Sequence, residues 1–164
     1  MYRKWRTYND ELTVKGKQHK NLQHIFRKHV KPKKQHELAR LGSLVKVLSE
    51  CTKVKQIVDV GSGVGHLSRI LAYAHELKTV SIDAQENHVA SARLFDSQLL
   101  KQLKKNAVNS TGIGEPSKSC SQNQVNVLHE SINGPFHLAR YVDFNDKKAF
   151  LETLSTYFTG KLFR

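Results

Sequence analysis

Cysteine is almost missing from this chain. Cys51 and Cys120 are the only two in 164 residues, and they lie far apart with no ligand-type spacing. They read as free thiols of a reducing compartment and make no case for a zinc or other metal site. Long apolar runs are missing as well: nothing approaches the roughly 18 uninterrupted apolar residues of a membrane span. The first ten residues, "MYRKWRTYND", lack the apolar centre of a secretory signal. These absences point to an intracellular chain, cytoplasmic or nuclear, without a membrane partner. Acid is also in short supply. Fourteen Asp and Glu face 27 Lys and Arg, a formal net charge of +13. Such an excess attracts polyanions, and nucleic acid is the commonest of them. A basic surface that is merely solvated is the plain alternative.

What is present is enough for one domain with a buried core. Residues 1–30 form a basic N-terminal segment with helical spacing at Leu22, Ile25 and Phe26. From 32 to 50 a second helix is expected, with Pro32 in its first turn and Leu38, Leu41, Val45 and Leu48 in one stripe. Gln56–Val60 is a short β-branched run that stops at Gly61, so a buried strand. From His66 the period becomes helical, through Leu67, Ile70, Leu71, Ala74 and Leu77. "KTVSID" (78–83) reads as a second strand, and Val89, Ala92, Phe95, Leu99 and Leu103 mark one face of a long helix. Residues 106–124 are polar and turn-rich, so a loop. "VNVLHESI" (125–132) and "HLARYVDF" (137–144) are further strand candidates, and "KKAFLETLSTYF" (147–158) a final helix. Alternating strands and helices imply a parallel α/β sheet with ligands outside the carboxyl ends of its strands.

Gly61–Gly65 and Asp83 fall at those ends. A dinucleotide turn follows G-x-G-x-x-G. Here the glycines are Gly61, Gly63 and Gly65, and His66 stands where the third glycine belongs. Asp59 lies on the strand's Gly61 side, where a carboxylate repels a pyrophosphate and attracts a cation. S-adenosylmethionine carries an ammonium and a sulfonium, and its carboxylate can use N–H groups near the helix start. Asp83, 22 positions after Gly61, is placed to accept from ribose hydroxyls. The cofactor-binding set is therefore Asp59, Gly61, Ser62, Gly63, Gly65, His66 and Asp83. Plainer readings stay open: a turn without a ligand, a solvated Asp59, Asp83 as a helix cap, and His66 as a first-turn surface residue.

At these residues the chain resembles the class I S-adenosylmethionine-dependent methyltransferases, and among them the methyltransferase-like protein 25 family, some of whose relatives are named for a ribosomal-RNA-adenine-dimethylase domain. "KPKKQHELARL" (31–41) resembles that family's P-K-K-x-H-E segment, "IVDVGSGVGHLSR" (57–69) its cofactor loop, and "SIDAQENHVASARLFDSQLLKQL" (81–103) its second strand and next helix. The resemblance implies a Rossmann-like methyltransferase core over residues 31–164, the front half of its sheet preceded by N-terminal helices. It also implies S-adenosylmethionine as cofactor, a substrate that the charge makes RNA, and a lid or substrate role for Lys33, Lys34, Gln35, His36 and Glu37. Val64 departs from the family's frequent lysine. The family continues into a fourth strand and a Leu-His-x-Cys-Gly-Asp-Leu segment absent here. The expectation is an incomplete domain with an unpaired sheet edge open to self-association or a protein partner, weak or inactive alone, with no catalytic residue identifiable. The competing readings are a non-catalytic basic adaptor that binds RNA or protein and, more remotely, a nicotinamide oxidoreductase.

Overall fold

The computed structural model describes residues 19, 22–110, 134–143 and 145–158. Within them the chain is an α/β layer: a three-stranded parallel sheet flanked by helices, the Rossmann-like core expected. A single turn, α1 (His24–Arg27), leads into α2 (Pro32–Thr52). Lys31, before the proline, is extended at φ −62°, ψ 146°, as the ring of a following proline demands. Strand β1 (Gln56–Val60) follows, then α3 (His66–Arg69), which widens into a π-helical turn over Ile70–Ala74. Strand β2 (Lys78–Asp83), helix α4 (Glu86–Ser110), strand β3 (Phe136–Ala139) and helix α5 (Lys147–Phe158) complete the order.

The strands lie in the order β1-β2-β3. β1 runs parallel to β2 from Gln56 opposite Lys78 to Val60 opposite Ile82. β2 runs parallel to β3 from Val80 opposite Phe136 to Asp83 opposite Ala139. β2 is therefore the middle strand, and Thr79 through Asp83 are all buried. β1 was expected to be buried, but it is half-buried, and Val60 is 41% exposed. The reason is topological: among the described residues β1 is paired on one side only. The "HLARYVDF" strand candidate does not cover that edge. Its strand starts one residue earlier, at Phe136, and pairs with β2 on the far side. "VNVLHESI" lies outside the described residues.

Leu22, Phe26 and Val30 share one buried cluster with Leu38, Ile70 and Leu99. The basic N-terminal segment is thus packed, over residues 22–30, into the same core as the rest. The α4 face is as expected, with Val89, Ala92 and Leu99 buried, but α4 continues through Ser110, so residues 106–110 are helical rather than loop. The α2 stripe needs a larger correction. Leu38 is buried, but Leu41 and Leu48 are exposed, and the inward face is Gln35, Leu38, Gly42 and Ser49. Small residues govern here. A Cβ on Gly42 would stand 3.1 Å from Ile70 Cγ2 and 3.3 Å from His75 Nε2, so glycine lets α2 lie close against the π turn. Ser49 uses its hydroxyl to hold the Val54 carbonyl at 2.5 Å, just past the left-handed Lys53.

Replacing Gly42 by leucine should therefore lower unfolding free energy by about 1–3 kcal/mol, the usual cost of overpacking. Leu48→Ala on the exposed face should change it by no more than about 0.5 kcal/mol. Urea unfolding of both variants checks the assignment of the inward face; the opposite ranking would restore the leucine stripe.

Candidate functional site

The glycine turn forms because β1 ends level with β2. The N–H groups of Gly61 and Ser62 both donate to the Ile82 carbonyl, at 2.8 and 3.1 Å. Gly61, Gly63 and Gly65 take φ of 73°, 57° and 70°, a region that costs an L-residue with a side chain roughly 1–2 kcal/mol. The three glycines have different surroundings. A Cβ on Gly61 or Gly63 would meet nothing within 4 Å, whereas one on Gly65 would stand 2.8 Å from His137 Cε1 and 3.3 Å from Ala92 Cβ. The first two border open space and the third is a packing contact.

Asp83 pins the turn. Its Oδ2 accepts the Gly63 N–H at 2.8 Å, and its Oδ1 accepts the Gln85 N–H at 3.0 Å. His88 Nδ1 lies 3.0 Å from the same Oδ1. Burial raises the Asp83 pKa, but bonds from Gln85, Gly63 and His88 outweigh it and hold the carboxyl below its ordinary range. Asp59 sits on β1, half-buried, and accepts the Ser68 hydroxyl at 2.6 Å. Burial pushes its carboxyl up, while the Ser68 bond and the His137 field act the other way. Two carboxylates thus stand beneath one glycine turn.

His66 opens α3. Arg69 Nη2 lies 2.8 Å from its Nδ1. A guanidinium only donates, so Nδ1 accepts and the ring is the Nε2–H tautomer. Its ring runs nearly parallel to Phe95, with 6.0 Å between centroids, and His29 stacks on Phe95 at 4.6 Å. Burial first, then the charges of Arg69, His29 and Lys34, push the His66 pKa down to about 4.

All seven expected cofactor residues therefore come to the carboxyl ends of β1 and β2. The upstream group is more divided. Lys33 and Lys34 are exposed, and Lys34 forms an ion pair with Glu37 at 2.6 Å. Gln35 is fully buried, where it accepts the His19 N–H and donates to the Val30 carbonyl at 2.7 Å. It ties α2 to the segment before it. His36 is half-buried, its ring 5.3 Å from that of His19.

Sequence reasoning missed the buried layer below the turn. Arg69 Nη1 donates to Asp96 Oδ1 at 3.2 Å, and His137 Nε2 lies 2.7 Å from Asp96 Oδ2. All three residues are buried. Burial pushes the Arg69 guanidinium down from its usual range, and Asp96 opposes that shift. A signal was available: helical spacing puts Asp96 in line with Ala92, Leu99 and Leu103, so a charge stood in an apolar stripe. Among the described residues no group of three or more His, Cys, Asp or Glu could hold a metal ion, and no helix is long and apolar enough to cross a membrane.

A family model described as a methyltransferase domain matches residues 33–153, well over half of the chain. The human protein named "Probable methyltransferase-like protein 25" is 32% identical over 72 residues, which are 44% of this chain and 12% of that protein. Its counterpart in Mus musculus is 33% identical over 69 residues, 42% of this chain and again 12% of the relative. The chain thus spans about an eighth of the length of these curated relatives. No solved structure matches it significantly.

The His66 geometry has a pH consequence. A histidine whose folded pKa is about 4, against 6.5 ordinarily, binds fewer protons folded than unfolded between those values. Stability should hold above about pH 6.5 and fall as pH drops toward 4. Between pH 7 and 5 the wild type should lose about 1 kcal/mol more than His66→Gln, allowing for partial solvent screening. Equal losses in denaturant titrations would rule out a buried neutral ring.

Proposed function

The chain belongs to the methyltransferase-domain family, and on that premise we propose that its glycine turn, Asp59 and Asp83 bind S-adenosylmethionine in support of methyl transfer to RNA. One observation carries the cofactor reading: the open space over Gly61 and Gly63, at a turn whose backbone demands glycine and whose floor carries two carboxylates. A body can lie against that backbone where any Cβ would intrude. A pyrophosphate would bring negative charge toward Asp59 and Asp83, whereas an ammonium and a sulfonium are attracted. This favours the adenosyl cofactor over a nicotinamide dinucleotide.

Asp83 suits a ribose. A carboxylate offers about four acceptor positions, and Gly63, Gln85 and His88 draw on three. One stays open on Oδ2, and a second opens if His88, whose side chain is 38% exposed, turns outward. When bound, the cofactor supplies an electrophilic methyl group to a nitrogen or oxygen nucleophile. The chain's own residues orient it and provide a field suited to its charge.

The RNA reading is supported by the formal charge of +13 and by its placement. Lys28, His29, Lys31, Lys33 and Lys34 are all exposed, and Lys34 is near enough to depress the His66 pKa. The basic segment therefore adjoins the turn.

Calorimetry should detect S-adenosylhomocysteine but not NAD. Asp83→Ala should weaken that binding by roughly 1–3 kcal/mol, since it removes both a ligand acceptor and the anchor of Gly63. Binding of NAD alone would overturn the cofactor reading. For the substrate, RNA affinity should fall steeply with salt as phosphates release counterions. Changing Lys31, Lys33 and Lys34 to alanine should flatten that slope as well as weaken binding. No RNA binding at low salt, or an unchanged slope, would remove RNA as the partner of this surface.

A further inference from the structure

A row of hydrogen bonds leads from the buried acid to the glycine turn. Asp96 Oδ2 is 2.7 Å from His137 Nε2, His137 Nδ1 is 2.9 Å from Ser81 Oγ, and Ser81 Oγ is 2.6 Å from Ser62 Oγ. The first three residues come from α4, β3 and β2, and Ser62 lies inside the turn. Asp96, His137 and Ser81 are 8%, 4% and 1% exposed, whereas Ser62 is only partly buried. The row therefore begins in the core and ends at the one member with access to a ligand.

Donor and acceptor capacities determine its direction. An ionised Asp96 only accepts, so His137 carries a proton on Nε2. In the neutral ring Nδ1 must then accept, and Ser81 donates to it. Ser81 has a single proton, so its oxygen accepts from Ser62. The Ser62 proton thus points inward and its lone pairs remain for a ligand.

We propose that His137 is a positioning residue for the cofactor turn: held by Asp96, it turns the Ser62 hydroxyl proton inward through Ser81, so that Ser62 presents its lone pairs to the ligand. The proposal rests on the reading of this turn as an adenosyl-cofactor site. Ser62 as an acceptor suits a ligand bearing an ammonium and a sulfonium. The ring also occupies the place of a Gly65 side chain, so the third glycine of the turn is tied to this histidine. Other charged groups on the elements around it are Arg93, which donates to the His137 carbonyl at 3.0 Å, Arg69 on Asp96, Asp59 on β1 and Asp83 on β2.

Two substitutions separate this role from simple packing. His137→Phe keeps a ring under Gly65 and removes both polar contacts. Ser81→Ala leaves His137 and Asp96 in place and cuts the row. S-adenosylhomocysteine, which retains the ammonium, is titrated by calorimetry at pH 8. Both variants should bind about tenfold more weakly than the wild type, a loss of one hydrogen-bond step. In the ligand-free chain, nitrogen NMR should show Ser81→Ala moving the His137 Nδ1 resonance while Nε2 stays put. If His137→Phe does not fold, Ser81→Ala decides. Wild-type affinity in Ser81→Ala would overturn the proposal while leaving the cofactor reading intact. Failure of the wild type to bind would overturn both.

Discussion

The bond from the Gly63 N–H to the Asp83 carboxylate, 2.8 Å long, is the constraint on which the site depends. It joins the turn after β1 to the last residue of β2. The parallel register brings Val60 opposite Ile82, so both strands deliver their ends at one height, and the Ile82 carbonyl takes two turn N–H groups. With those groups tied down, the turn can hold three glycines at positive φ in one conformation. Without them, three glycines in five residues would have much conformational freedom to lose. Asp83 also accepts from Gln85, and so sets where α4 begins. One carboxylate thereby fixes both a turn and a helix start.

Beneath this pin lies a polar layer where a Rossmann-like core would ordinarily be apolar. Arg69, Asp96 and His137 are buried, with Arg69 and His137 each bonded to Asp96, and Arg69 also donates to the Val64 carbonyl at 2.9 Å. Buried charges are tolerated only when paired and fully bonded. Here the pairing links α3, α4 and β3, three elements that meet directly under the turn. Removing one partner would strand another in the core. The layer thus defines how the helices sit against the sheet, and through Gly65 and Ser62 it reaches the surface where a ligand would lie.

Much of the architecture was legible in the sequence because it rests on local patterns. Gln56–Val60 and Lys78–Asp83 are β-branched runs closed by a turn, and both strands have the expected bounds. The Asp59, Gly61, Gly63, Gly65 and Asp83 spacing implied that these residues meet at the strand ends, and they do, because that geometry depends on strand alternation and positive φ. The α2 face was misread because side-chain size, not hydropathy, chose it: Gly42 and Ser49 pack inward while Leu41 and Leu48 stay out. β1 was expected to be buried from its composition, but burial depends on neighbours that composition does not reveal. His137 and Asp96 lie 41 positions apart, and no period within either segment pairs them.

The central claim is that the turn after β1 is a cofactor cradle. Titrating the isotopically labelled chain with S-adenosylhomocysteine, and following backbone amide resonances, tests it most directly. The account predicts saturable shifts concentrated at Gly61, Ser62, Gly63 and Gln85, with little change along the exposed face of α2. Saturating ligand that leaves those amides unmoved, or shifts centred elsewhere on the chain, would contradict it.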